Sequence, residues 1–223
     1  MISELTQNKI ESSGILDEAD FHIKKENLGV VFHILRSQLY SQPVAAIVRE
    51  YFCNSLDSNN LSGKSDVPVR VTLPTTLEPF YKCRDFGFGL SDEEIKNVFI
   101  SYGESTKRDT NEAVGMLGLG AKSAFSLVDA FIVNSFQNGH VSSWNLFIDE
   151  SQRGKAALLA RAETIEPDGL EVVIPVKSEH IYKFKDEAMK FFYYSKILPE
   201  FHNLSQLDLD LIKNNRSKVA EFS

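Results

Sequence analysis

The 223-residue chain is 43% hydrophobic and holds 16 Phe, ample material for the core of one large domain. Its formal charge of −7, from 24 Lys and Arg against 31 Asp and Glu, argues against a surface that tracks a nucleic-acid backbone. No run of about eighteen apolar residues offers a membrane span, and Met1-Ile2-Ser3-Glu4-Leu5 lacks a basic stretch ahead of an apolar one, so the expectation is a protein kept inside the cell.

Residues 1–20 are polar and acidic and read as a mobile arm, ahead of a short alternating strand at Phe21-His22-Ile23. Residues 28–39 carry a helical pattern. Pro43 suits the first turn of a second helix, whose Val44, Ile47, Val48 and Tyr51 form one apolar stripe. Residues 58–68 make a polar loop, 69–73 a strand, 74–79 a Pro-rich turn, and 80–83 a second strand that delivers Asp85 at its end. Ser91 and Glu94 fit a capping box that opens a short helix through Phe99. Residues 101–114 have no sustained period and read as a mobile loop, and 121–128 is short and helical. Strands then dominate, at 130–136, 141–148, 156–162 and 170–176, with Asn138-Gly139 as a tight hairpin signal. Residues 178–198 are helical, with Phe and Tyr to dock against the body, and 201–223 read as a C-terminal tail. The sum is an α+β fold, a two-layer sandwich with helices packed on one face of a mixed, mostly antiparallel sheet. Cys53 and Cys83 belong to no Cys-x-x-Cys pair and the five histidines lack metal-ligand spacing, so chemistry is not expected to rest on thiol, imidazole or zinc.

Three segments carry chemistry. Glu50, Asn54 and Asp57 fall within roughly 60° of arc on the second helix, at about 100° per residue, and so share a face. A carboxylate and an amide one turn apart can take a proton from an attacking water and ligate Mg²⁺; an amphipathic helix with a wet polar side has the same spacing. Asp85-Phe86-Gly87-Phe88-Gly89 begins where a strand ends. Its glycines let the backbone close on a ligand and its Asp is a directional acceptor, although a strand-terminating turn also explains it. The Asp-Phe-Gly of protein kinases does not apply, because no His-Arg-Asp loop or strand lysine precedes it. Gly115-Met116-Leu117-Gly118-Leu119-Gly120-Ala121-Lys122-Ser123 is not a Walker A loop, since Ala121 stands where that motif has Gly before Lys. Backbone N–H groups at its helix start, with Lys122 adding charge, can hold phosphates; a glycine-rich hinge is the plainer alternative.

In order and spacing the three segments resemble the GHKL ATPases, which include gyrase B, MutL, histidine kinases and the ninety-kilodalton heat-shock chaperone. The resemblance implies a Bergerat ATP-binding fold over 21–200, with ATP and Mg²⁺ as cofactors. It implies that Glu50 activates water, Asn54 binds magnesium, and Asp85 reads adenine with Gly87 and Gly89 beside it. Residues 101–114 correspond to an ATP lid that carries Lys107, and Gly115, Gly118 and Gly120 to its hinge, with Asp57, Lys122 and Ser123 also at the nucleotide. Leu170 follows Gly169 where many members place a Thr near the phosphates. The chain ends near where members usually begin a transducer domain that supplies a catalytic lysine in several branches, so the expectation is slow hydrolysis unless a partner, Lys107 or Lys122 fills that role.

A closer resemblance is to the RIIA-type lysis-inhibition proteins of tailed bacteriophages. It rests on Ala46-Ile47-Val48-Arg49-Glu50 with Asn54 and Asp57, on Cys83-Arg84-Asp85-Phe86-Gly87-Phe88-Gly89-Leu90-Ser91-Asp92, on Gly118-Leu119-Gly120-Ala121-Lys122-Ser123-Ala124-Phe125-Ser126, and on Glu171-Val172-Val173-Ile174-Pro175-Val176. It implies a lysis-inhibition or anti-host-defence role in the cytoplasm of an infected bacterium, peripheral association at the inner membrane, a nucleotide-dependent homodimer, and an RIIB-like partner or host defence protein. Two other readings stay open: a non-hydrolytic nucleotide-switched interaction module, and a DNA-acting ATPase of the gyrase B or MutL kind. A histidine-kinase catalytic domain is disfavoured by Glu50 at the water position.

Overall fold

The computed structural model describes residues 41–100, 120–150 and 153–221. The expected arm at 1–20, the strand at 21–23, the helix at 28–39 and the lid at 101–114 lie outside the described residues. Pro43 opens α1 (Pro43–Leu61), where its fixed φ suits the first turn, and Val44, Ile47, Val48, Tyr51 and Phe52 are buried along it. The helix runs on to Leu61, into the stretch expected to be loop. Asn59 is the reason, being buried there with its amide bonded to Val67 O at 2.8 Å.

Among the described residues seven strands form one sheet: β1 (Arg70–Thr72), β2 (Phe80–Arg84), β3 (Ala130–Gln137), β4 (His140–Ile148), β5 (Gly154–Glu163), β6 (Gly169–Pro175) and β7 (Glu200–His202). Their order is β5-β4-β3-β6-β2-β1-β7, antiparallel except for the parallel β1/β7 pair. The protein is therefore α+β, with an open, mixed, mostly antiparallel sheet. Register lines up Val71, Cys83, Val172, Val133 and Trp144 across five strands, and all five are buried, so strand alternation gives this sheet one continuous apolar face. The β3–β4 hairpin turns on Asn138 (φ 53°) and Gly139 (φ 74°), the left-handed pair that matches strand twist.

The capping box forms as expected at the start of α2 (Asp92–Ile100): Ser91 N donates to Glu94 Oε2 at 2.8 Å and Glu94 N to Ser91 Oγ at 3.3 Å. The next helical piece is a 3-10 segment, Gly120–Ser126, and not an α-helix. Tyr51 reaches from α1 into its backbone, donating to Ala121 O at 2.8 Å and accepting from Ala124 N at 3.4 Å. A 3-10 turn at Ser178–His180 leads into α3 (Ile181–Tyr194), which docks through Phe184 stacked on Tyr81 and Phe192 edge-on to Phe52, ring centroids 5.1 and 4.8 Å apart.

The stretch expected to be a tail instead contains most of β7 and α4 (Gln206–Glu221), with Ile212 fully buried and Lys185 of α3 paired with Asp208 at 2.6 Å. Leu207-Asp208-Leu209-Asp210-Leu211 alternates like a strand, which hides its helical spacing. Among the described residues no helix is long and apolar enough to cross a membrane.

Candidate functional site

One face of α1 supplies a wall. Glu50, Asn54 and Ser58 follow one another a turn apart, marking out about 12 Å along the helix axis. Each end of this row meets a different glycine segment.

At the Ser58 end, Asp85 leaves β2 on the side of buried Tyr81 and Cys83, because side chains alternate along the strand. Its Oδ1 accepts hydrogen bonds from Ser58 Oγ (3.1 Å), Gly87 N (2.9 Å) and Leu170 N (3.1 Å). Oδ2 takes none of these bonds, so the carboxylate keeps one oxygen for a further donor. Burial raises the Asp85 pKa above the ordinary carboxylate value, opposed by the Gly87 and Leu170 N–H groups, then Ser58 and Arg84. The following loop is held on both sides: Asn59 Oδ1 accepts Phe86 N at 2.7 Å, and Lys64 Nζ donates to Phe86 O at 2.6 Å. Gly87 sits so close to α1 that a Cβ would strike Ser58 Oγ. Gly89, at φ 69°, abuts Phe136 O instead, so β3 accounts for that glycine.

At the Glu50 end the neighbour is Gly120. A Cβ there would stand 2.6 Å from Glu50 Oε2 and 3.4 Å from Asn54 Nδ2. Arg49 holds Glu50 Oε1 at 2.8 Å, which leaves Oε2 toward Gly120. The Asn54 carboxamide makes no hydrogen bond among the described residues. Those residues also contain no group of three or more His, Cys, Asp or Glu able to hold a metal.

The remaining expected residues are placed differently. Asp57 is half-buried between Asn54 and Ser58, and it is Ser58 that touches Asp85. Lys122 is buried in the 3-10 segment. Its Nζ donates to Val98 O at 2.9 Å in the last turn of α2, and burial pushes its pKa down to about 8. A helix carbonyl is thus among the partners of the charge expected beside phosphates. Ser123 is fully buried and its hydroxyl has no partner among the described residues. Lys107, Gly115 and Gly118 lie outside the described residues. Cys83, hydrogen-bonded to Ser55 at 3.3 Å, has its thiol pushed up to about 12 by burial and is inert packing.

Sequence reasoning missed Ser58, Asn59, Lys64 and the Leu170 N–H. Ser58 carried a usable signal, continuing the four-residue spacing of Glu50 and Asn54. The Leu170 contact carried none, because a backbone donor leaves no trace in residue type. No protein-family model matches the chain, and no curated protein matches it.

Proposed function

We propose that the α1 face bearing Glu50, Asn54 and Ser58, with the glycine segments that meet it, binds Mg²⁺-ATP in the manner of the GHKL ATPases, on a two-layer Bergerat fold, and that Glu50 activates water for slow hydrolysis. One observation carries this reading: a single helix face meets both glycine segments, Gly120 at Glu50 and Asn54 and Gly87 at Ser58. Segments some thirty residues apart in sequence thereby meet one helix face.

The residues fit such a ligand. Asp85 has its Oδ1 saturated by three donors and Oδ2 spare, which suits an exocyclic amine. The missing Cβ atoms at Gly87 and Gly120 let backbone approach α1 closely. Bound Mg²⁺-ATP supplies the transferable phosphoryl group and the cation that offsets its charge. The chain's part is to orient the base through Asp85, to offer the Asn54 carboxamide oxygen to the metal, and to take a proton from water at Glu50 Oε2. The resemblance to RIIA-type proteins extends the proposal to a phage lysis-inhibition or anti-host-defence role, with nucleotide occupancy switching a homodimer, an RIIB-like partner or a host defence protein.

Calorimetric titration with ATP and GTP, with and without Mg²⁺, tests the binding half. ATP should bind more tightly than GTP and require Mg²⁺ for full affinity; equal affinities would overturn it. A non-hydrolytic switch is favoured by the Arg49–Glu50 pair, which engages one oxygen of the proposed base. Phosphate release separates the two.

A further inference from the structure

Arg84 precedes Asp85, yet strand alternation sends its side chain to the opposite face of the sheet. It is only 4% exposed. The guanidinium lies between two rings, 5.0 Å from the centroid of Phe86 and 4.0 Å from that of Phe136. Nη1 donates to Asp85 O, and Nη2 donates to Pro167 O at 2.5 Å. Burial lowers its pKa while Asp85, Glu171 and Glu166 raise it, and an arginine remains charged under such opposition. Charge placed in so covered a position needs fixed acceptors, and both of its acceptors are backbone carbonyls at the rim of the site.

Those carbonyls belong to the two chain segments that must meet for the Asp85 carboxylate to be aimed. Asp85 N donates to Leu170 O at 2.9 Å and Leu170 N returns to Asp85 Oδ1 at 3.1 Å. Gly169 lies between, with φ 145°, and a Cβ on it would collide with both Asp85 O and Arg84 Nη1. The arginine therefore fits against a glycine backbone, pulling the turn that bears Pro167 and Gly169 onto the Asp85 peptide.

We infer that Arg84 and Gly169 are positioning residues for base recognition: the guanidinium latches the Pro167–Gly169 turn to the Asp85 peptide, which holds the Leu170 N–H on Oδ1 and leaves Oδ2 aimed at the base. This rests on the proposed reading of adenine by Asp85. Neither residue touches the ligand. The latch explains why a Leu serves at 170, since the donor needed there comes from the backbone.

Arg84→Met keeps an apolar stem between the two rings and removes the donors; Gly169→Ala blocks the same approach from the other strand. In the nucleotide-free protein, either change should speed hydrogen exchange of the Leu170 amide by roughly tenfold or more over wild type, a loss of about one hydrogen bond's protection. By calorimetry, either should weaken ATP by roughly tenfold and bring the ATP-to-GTP ratio toward that of Asp85→Asn. Arg84→Lys, which restores a donor, should recover part of both. The Asp85→Asn/Arg84→Met double variant should bind ATP no worse than Asp85→Asn alone, whereas a merely structural arginine would add its loss in full. If Arg84→Met does not fold, Gly169→Ala and Arg84→Lys carry the same comparison.

Unchanged Leu170 exchange together with an unchanged ATP-to-GTP ratio in these variants overturns the latch. Failure of base reading looks different, because there Asp85→Asn itself leaves ATP affinity and the ratio intact while Leu170 exchange still responds to Arg84.

Discussion

Around Asp85 the polar groups of the site are tied down before any ligand arrives: three donors on Oδ1, Asn59 and Lys64 on the Phe86 peptide, Arg84 behind. Around Gly120 the arrangement is looser, with Asn54 making no hydrogen bond among the described residues and Glu50 held through one oxygen by an exposed arginine. The two ends of one helix face thus differ in how much of their geometry is prepaid. A preorganised end costs little ordering on binding and should dominate affinity and discrimination. An end whose partners arrive with the ligand should govern turnover. Variants at the two ends should therefore fail in different observables.

The largest expected effect is at the looser end. Removal of a general base costs on the order of 10²–10⁴ in rate while ground-state binding is nearly kept. Glu50→Ala should bind ATP as wild type does and release phosphate at that reduced rate. Asn54→Ala should instead lose the part of affinity that depends on Mg²⁺. Equal phosphate release by wild type and Glu50→Ala would make the looser end a switch with no chemistry.

At the tied end the observable is affinity. On the proposed reading Asp85→Asn removes a charge-assisted bond to the base and should cost roughly 1.5–3 kcal/mol, or about ten- to a hundred-fold in ATP Kd. Stability should move the other way. Burial raises the folded pKa of Asp85 above its ordinary value of 3.8, so its ionisation opposes folding as pH climbs through the folded pKa and costs nothing below the unfolded one. The ligand-free Asp85→Asn protein should match wild type in melting temperature below about pH 3.8 and exceed it at pH 7. A variant that loses stability in step with affinity would show a scaffold where the comparison expects a recognition group.

Lys122 sharpens the contrast from within the Gly120 segment. Its folded pKa of about 8, against 10.5 unfolded, means the native state binds fewer protons between those values, so stability should rise with pH across that window. Lys122→Met should therefore gain stability at pH 7, less at pH 10, and flatten the pH dependence of denaturant midpoints. A matching loss of ATP affinity would tie the buried ammonium to phosphate after all.

Six strands of the sheet, all but β7, were legible because they alternate and their hairpin carries Asn138-Gly139, and α1 because Pro43 and the apolar stripe agree. The capping box at Ser91 and Glu94 was legible to the atom. Residues 121–128 were read as helical, but Gly120–Ser126 winds as a 3-10 segment with Tyr51, seventy residues away in sequence, bonded to its backbone. The helix at Gln206–Glu221 was lost to a strand-like Leu-Asp alternation. In the proposed site, Glu50, Asn54 and Asp85 were named by side-chain type and spacing, and the structure places them along α1 and beside Ser58. Leu170, which contributes through its backbone, and Arg84, on the far side of the sheet, carried no such signal. Lys122 was assigned by chemistry, and its bond to Val98 O on α2 could not be read from sequence.

The smallest effect tests how rigid the tied end is. Ser58 gives one of three donors to Asp85 Oδ1, and Gly87 and Leu170 keep theirs, so Ser58→Ala should cost about 1 kcal/mol in ATP binding, roughly fivefold. The same hydroxyl fills the space where a Cβ on Gly87 would go. Gly87→Ala must therefore push the loop away from α1 when Ser58 is present and has more room when it is absent. In a double-mutant cycle the two substitutions should couple, with Gly87→Ala less damaging to ATP affinity in the Ser58→Ala background by about 0.5–1 kcal/mol. Additive losses would mean that the loop shifts freely to admit the methyl group. The Asp85 end would then be as adaptable as the Glu50 end, and the difference drawn between them would disappear.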